Sequence, residues 1–261
     1  MKTKTSKNVF IFDLDDLLIW NEYTYSLAFQ KFYSFLMKLW KRRIPFIGTV
    51  ATLSEEITAK MVKKINPQTG KPYGFAMERF PTSLVRCYQI LCEQGFGEFR
   101  KDIADKIYEL GMTTFDERNY QRHGLVPFAK YVLRFLKKKR DLLILVTKGD
   151  PRVQERKINA LKLQSWFGSE IHIVESKTPN LFLNFRNRFP GQKIFSVGNS
   201  FSDIKPALEA GIKGIYIPYE SWKLEKEGSK DYDSSMVFTL KSIKEIVSLY
   251  KSGNLDSKKE S

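Results

Sequence analysis

Cysteine is nearly absent from this 261-residue chain, which has only Cys87 and Cys92. Five positions apart in a helical-looking stretch, the two fall on different faces. That spacing suits neither a zinc knuckle nor a thioredoxin-like pair, so both read as packing residues. Histidine is as scarce, and His123 and His172 have no sequence partner that suggests a triad or a metal pair. No window approaches 18 uninterrupted apolar residues, so no membrane-spanning helix and no membrane partner are expected. MKTKTSKN leads straight into a strand rather than into an apolar signal region with a small-residue cleavage site, and the expectation is a cytoplasmic protein. Internal repeats are missing too, and low complexity is confined to a Ser/Lys tail, residues 251–261, that reads as disordered.

Hydrophobic residues make up 42% of the chain, enough for one large α/β domain with an insertion or for two modest domains. Acids are outnumbered, 29 against 44 Lys and Arg, for a net charge of +15. The basic runs at 38–43, 60–64 and 137–140 are scattered and not interleaved with aromatics. They read as solvated faces, which argues against nucleic acid as the partner; a phosphorylated small molecule would gain from the same field.

Short apolar runs alternate with helical periodicity through the second half. VFIF (9–12), LLILV (142–146), IHIVE (171–175), KIFSV (193–197) and GIYIP (214–218) read as strands, separated by helices over 125–140, 151–164, 180–189 and 202–211. The pattern predicts a doubly wound parallel sheet, a Rossmann-like α/β core, over 1–19 and 123–250. Residues 20–122 are helix upon helix, predicted at 23–40, 52–65 (opened by a Thr52/Glu55 capping box), 81–95 and 99–111, with Gly95 and Gly111 as helix stops, as Gly211 is for the core helix 202–211. This α-helical insertion is expected to sit over the strand ends.

The stretch VFIFDLDDLL drives a buried-looking strand into Asp13, Asp15 and Asp16. Carboxylates this close repel one another unless a cation or a reaction uses them. Ligands of an open α/β sheet bind beyond the carboxyl ends of its strands. There the other strands deliver Thr147-Lys148-Gly149-Asp150, Ser176-Lys177-Thr178 and Gly198-Asn199-Ser200, with Asp203 four residues past Asn199. Asp16 reads as a solvated loop or helix-start residue, Lys148 and Asp150 as shaping their loop, and Lys157 as a surface residue of a polar helix.

Asp13-Leu14-Asp15, Thr147, Lys177 and Gly198-Asn199 through Asp203, in that order at four strand ends, resemble the four motifs of the haloacid dehalogenase-like (HAD) superfamily. VTKGD and SDIKPALEAG look like its phosphatase-type branch, and the insertion resembles the family's C1 cap in position and helicity. The resemblance implies a Mg²⁺-dependent phosphatase acting on a small phosphorylated metabolite. Asp13 would be the nucleophile, giving an aspartyl-phosphate, and Asp15 the general acid and then base. The Thr147 hydroxyl with the backbone at Lys148 and Gly149 would hold phosphoryl oxygens, and Lys177 would grip phosphate and offset the acids. Asp13, the carbonyl of Asp15, Asp203 and the amide oxygen of Asn199 would bind the metal. Asn199 departs from the usual acid and Leu17 from the usual threonine. A phosphomutase and a non-catalytic phosphate- or nucleic-acid-binding scaffold are the alternatives. Dehalogenase chemistry has no need for Asp15.

Overall fold

The computed structural model describes residues 8–218 and 234–255. The chain divides into two compact units: Met1–Trp20, His123–Gln154 and Ile158–Ser261 form one, and Asn21–Arg122 with Glu155–Lys157 the other. In chain order the elements are β1 (Asn8–Phe12), α1 (Asn21–Trp40), α2 (Ile47–Met61), α3 (Arg79–Glu93), α4 (Lys101–Met112), α5 (Glu117–His123), α6 (Ala129–Lys138), β2 (Leu142–Lys148), α7 (Pro151–Ala160), α8 (Gln164–Phe167), β3 (Ile171–Val174), α9 (Pro179–Arg188), β4 (Lys193–Gly198), α10 (Phe201–Glu209), β5 (Lys213–Tyr216), β6 (Val237–Thr239) and α11 (Glu245–Lys251).

The strands form one sheet in the order β3-β2-β1-β4-β5-β6, parallel at every pairing. β1 is buried on both faces because its residues alternate between two apolar layers. Phe10 and Phe12 pack with Leu143, Leu145, Phe195 and Val197 under α6, α8 and α11. Val9 and Ile11 pack with Ile144, Val146 and Ile194 under α9 and α10. The architecture is a Rossmann-like α/β core. β1 lies between β2 and β4, where the strand order reverses, so the ligand crevice of such a sheet falls at its carboxyl end.

The helical unit has its own core, in which Phe32 and Leu36 of α1, Val50 of α2, Leu84 and Tyr88 of α3, and Ile103 and Ile107 of α4 are buried. Gly111, read from sequence as a helix stop, lies inside α4, where a Cβ would come within 2.7 Å of Pro81 Cα. Its missing side chain allows two helices to approach. Gly95, by contrast, does take a left-handed φ of +90° just after α3.

Several boundaries differ from the sequence reading. α2 begins at Ile47, so Thr52 is in the helix interior and the Thr52/Glu55 cap does not form; the start lies just after Pro45, and Val50 is fixed in the core. α6 begins at Ala129, because Leu125 bridges Ile19, Val126 N–H donates to the Leu18 carbonyl, and Phe128 takes φ +67°. α5, β6 and α11 were missed. The assignment of 251–261 as a tail is corrected for its first part: Lys251 ends α11 and Leu255 is buried in the core, while 256–261 lie outside the described residues.

Candidate active site

Strand alternation carried past β1 explains why two acids serve one side while Leu14 between them is fully buried. Asp13 N–H donates to the Val197 carbonyl at 2.9 Å, which holds its backbone in the sheet one residue beyond Phe12. A tight turn follows: the N–H groups of Leu18 and Ile19 donate to the Leu14 carbonyl, and Asp16 takes φ +56°, a conformation aspartate tolerates. Asp16 is therefore the hinge of the turn, and Leu17 and Leu18 return to the core.

Asp13 is 8% exposed, and its Oδ1 accepts a hydrogen bond from Lys177 Nζ at 2.5 Å. The same ammonium donates to Asp203 Oδ1 at 2.5 Å. Lys177 reaches this position from the loop after β3, where Thr178 caps α9 by accepting from Leu181 N–H. Asp203 is held from the other side. Its Oδ2 accepts from the backbone N–H of Ser200 at 3.1 Å and the Ser200 hydroxyl at 2.8 Å, so it caps α10 as well as binding Lys177. Gly198 is required here, because a Cβ at that position would lie 2.2 Å from the Cβ of Asp203.

Charge follows from this geometry. Burial dominates at Asp13 and pushes its carboxyl up to about 8; Lys177 pulls it down, and Asp203 and Asp15 push it further up. Burial alone would lower the Lys177 ammonium, but Asp13 and Asp203 more than reverse that and hold it above the ordinary lysine value. Two acids share one ammonium here, and Asp15 adds a third negative group near Asp13.

At the end of β2, Thr147 is fully buried and its hydroxyl has no hydrogen-bond partner among the described residues. Such an orphan is expected where a ligand supplies the missing bond. Lys148 contributes its carbonyl, which accepts from Gln154 Nε2 at 2.9 Å. The Gly149 N–H is already directed at the Val174 carbonyl, 3.3 Å away. Asp150 caps α7 by accepting from Arg152 N–H and pairs with the Arg152 guanidinium at 2.7 Å. Asn199 directly follows β4 and is half-buried in the bend before α10.

Two residues of α7 were misread or missed. Lys157, read as a surface lysine, is 2% exposed, with Nζ 6.0 Å from the centre of the Tyr120 ring. Gln154, which drew no attention, is also 2% exposed, and its amide nitrogen donates to Asp15 Oδ2 at 3.0 Å. A signal was available: Val153, Gln154, Lys157 and Ile158 share one helical stripe, so the two polar residues stand at positions the periodicity marks as buried.

No family model matches the sequence, and no curated protein does either. Solved structures do match in fold. A haloacid dehalogenase-like family hydrolase from Xanthomonas campestris is 19% identical, with a TM-score of 0.64 and 96% of each chain covered. The HAD-hydrolase YfnB from Bacillus subtilis, bound to magnesium, is 15% identical, with a TM-score of 0.60 and 95% of this chain and 100% of that one covered. The L-2-haloacid dehalogenase from Xanthobacter autotrophicus is 11% identical, with a TM-score of 0.59 and 95% and 99% covered. The chain has the fold of the haloacid dehalogenase-like hydrolases. The reaction has to be argued from the site, since one fold hosts several chemistries.

Proposed function

We propose that this chain is a phosphatase of the HAD-like superfamily, hydrolysing a small phosphorylated metabolite with Mg²⁺ through an aspartyl-phosphate at Asp13. The observation that carries this reading is the Lys177 ammonium seated between the carboxylates of Asp13 and Asp203 at the strand-order reversal. That arrangement keeps a cation beside the nucleophile on Asp13 Oδ1 and assigns the attack on phosphorus to Oδ2. The buried Thr147 hydroxyl would donate to a phosphoryl oxygen, meeting its own unmet bond in doing so.

A magnesium ion fits the donor set by charge, since Asp13 and Asp203 share one ammonium and Asp15 adds a further acid beside Asp13. Among the described residues no group of three or more His, Cys, Asp or Glu side chains is placed to hold a metal ion, so the proposed set draws on a backbone carbonyl and an amide oxygen as well as carboxylates. Asp13, the Asp15 carbonyl, Asp203 and Asn199 would hold it. When bound, Mg²⁺ neutralises charge on the phosphoryl group and on these acids.

In the first step Asp13 Oδ2 bonds to phosphorus as the phosphorus–ester oxygen bond breaks, and Asp15 gives its proton to the departing oxygen. In the second, Asp15 as carboxylate takes a proton from water, whose oxygen bonds to phosphorus. The bond to Asp13 breaks, releasing phosphate and restoring both acids. The test is a screen of phosphorylated metabolites and p-nitrophenyl phosphate with and without Mg²⁺, with Asp13→Asn as the blank. Phosphate release that needs Mg²⁺ and vanishes in Asp13→Asn is expected. Undiminished release by Asp13→Asn would remove the nucleophile assignment, and conversion of a sugar phosphate without phosphate release would favour a mutase.

A further inference from the structure

Gln154 is buried within the first turns of α7, far in sequence from the acid it touches. Its amide nitrogen carries two hydrogens, and both have partners: Asp15 Oδ2 at 3.0 Å and the Lys148 carbonyl at 2.9 Å. The amide thus ties the loop after β1 to the end of β2. Room for it comes from Gly149, whose φ is +150° and where a Cβ would stand 2.7 Å from Gln154 Nε2. The other end of the amide, Oε1, is buried with no partner among the described residues.

We infer that Gln154 is a positioning residue for Asp15, fixing the plane of its carboxyl group against the end of β2. The inference rests on the phosphatase reading above. Oδ2 accepts from Gln154, so the amide holds one oxygen of the carboxyl group and with it the orientation of the other. In the first step the proton that Asp15 gives passes to the ester oxygen, which has received the electron pair of the breaking phosphorus–oxygen bond. In the second, the Asp15 carboxylate takes a proton from the attacking water. Without the amide the carboxyl group loses one of its anchors, and its alignment with the ester oxygen is less well held.

Leaving groups differ in their need for that proton. p-Nitrophenolate departs without it, whereas an alkoxide does not. The experiment compares kcat/KM for p-nitrophenyl phosphate and for glycerol phosphate with Mg²⁺ in the whole protein, in wild type, Gln154→Met and Gln154→Asn. kcat/KM reports the first irreversible step, so slow dephosphorylation does not mask the effect. In Gln154→Met, the ratio of alkyl to aryl kcat/KM should fall by about tenfold or more, inside the ~10²–10⁴ that a placed acid contributes. Gln154→Asn, which keeps a neutral amide donor on a stem one methylene shorter, should recover part of that ratio. Should Gln154→Met fail to fold, Gln154→Glu, isosteric and unable to donate as a carboxylate, is measured in its place. Equal losses on both esters, or an unchanged ratio, would overturn the inference and leave the phosphatase reading standing. A wild-type protein that hydrolyses neither ester would overturn both.

Discussion

Replacing Lys177 by Met should cost both stability and activity, and the size of the first can be worked from the site. Both Oδ1 atoms, of Asp13 and Asp203, lie 2.5 Å from the same Nζ. They are therefore no more than about 5 Å apart, and two full charges at that distance repel by about 3 kcal/mol at an effective dielectric of 20. The side chains of Lys177, Asp13 and Asp203 are 5%, 10% and 6% exposed, so solvent does little to screen them. Removing one partner of a buried pair typically costs ~3–5 kcal/mol, in the same range. The assay is urea unfolding with a chelator at pH 9, above the value of about 8 to which burial pushes the Asp13 carboxyl, so that both acids are charged in the wild type, for Lys177→Met, Asp13→Asn and the double variant. Asp13→Asn alone should change little, because Lys177 keeps Asp203, and the double variant should recover more than half of the loss in Lys177→Met. If Lys177→Met is as stable as wild type, or if the double variant is simply the sum of the two singles, the charge argument for this site is wrong.

Other outcomes follow from the same geometry. Asn199→Asp adds the charge this chain lacks after Gly198 and should lower several-fold the Mg²⁺ concentration for half-maximal phosphate release; an unchanged or higher requirement would show that Asn199 does not face the metal. Gly198→Ala places a Cβ against the root of Asp203, so a loss of ~1–3 kcal/mol from overpacking is expected together with loss of activity, and a fully active, equally stable variant would contradict it. Gly111→Ala should destabilise the helical unit by a similar ~1–3 kcal/mol, read by urea unfolding, because the obstructing atom at 2.7 Å is backbone of Pro81. The Asp13 carboxyl rises on folding from 3.8 to about 8, so the folded state holds a proton that the unfolded chain releases. Stability of the metal-free protein from this group is present below pH ~4 and is lost as pH rises toward 8. Melting temperatures should fall across that window, and Asp13→Asn should flatten the profile.

Much of the fold was legible because its signals are local. VFIF and LLILV are apolar throughout, which only a strand covered on both faces requires, and the helices between the strands carry their own periodicity. The sites of interest were legible for a related reason: acids, a threonine and a lysine placed just after such strands stand out against apolar surroundings. β6 was not legible, since three residues of strand give no period to read, and its pairing of Ile215 with Phe238 is a contact across 23 positions. Gly111 was misread because a glycine that ends a helix and one that admits a neighbouring helix look alike in one dimension.

The sequence alone determined that a sheet of this kind would form and that charge would gather at its strand ends, because both depend on the order of residue types along short segments. Only the tertiary structure decided which charges meet. Lys177 and Lys157 are equivalent as text, yet one lies between Asp13 and Asp203 and the other is buried beside Tyr120. Gln154 gains its meaning from an acid 139 positions away. A hydrogen bond depends on distance and angle between two side chains, and those are set by the packing of strands and helices that bring remote segments together.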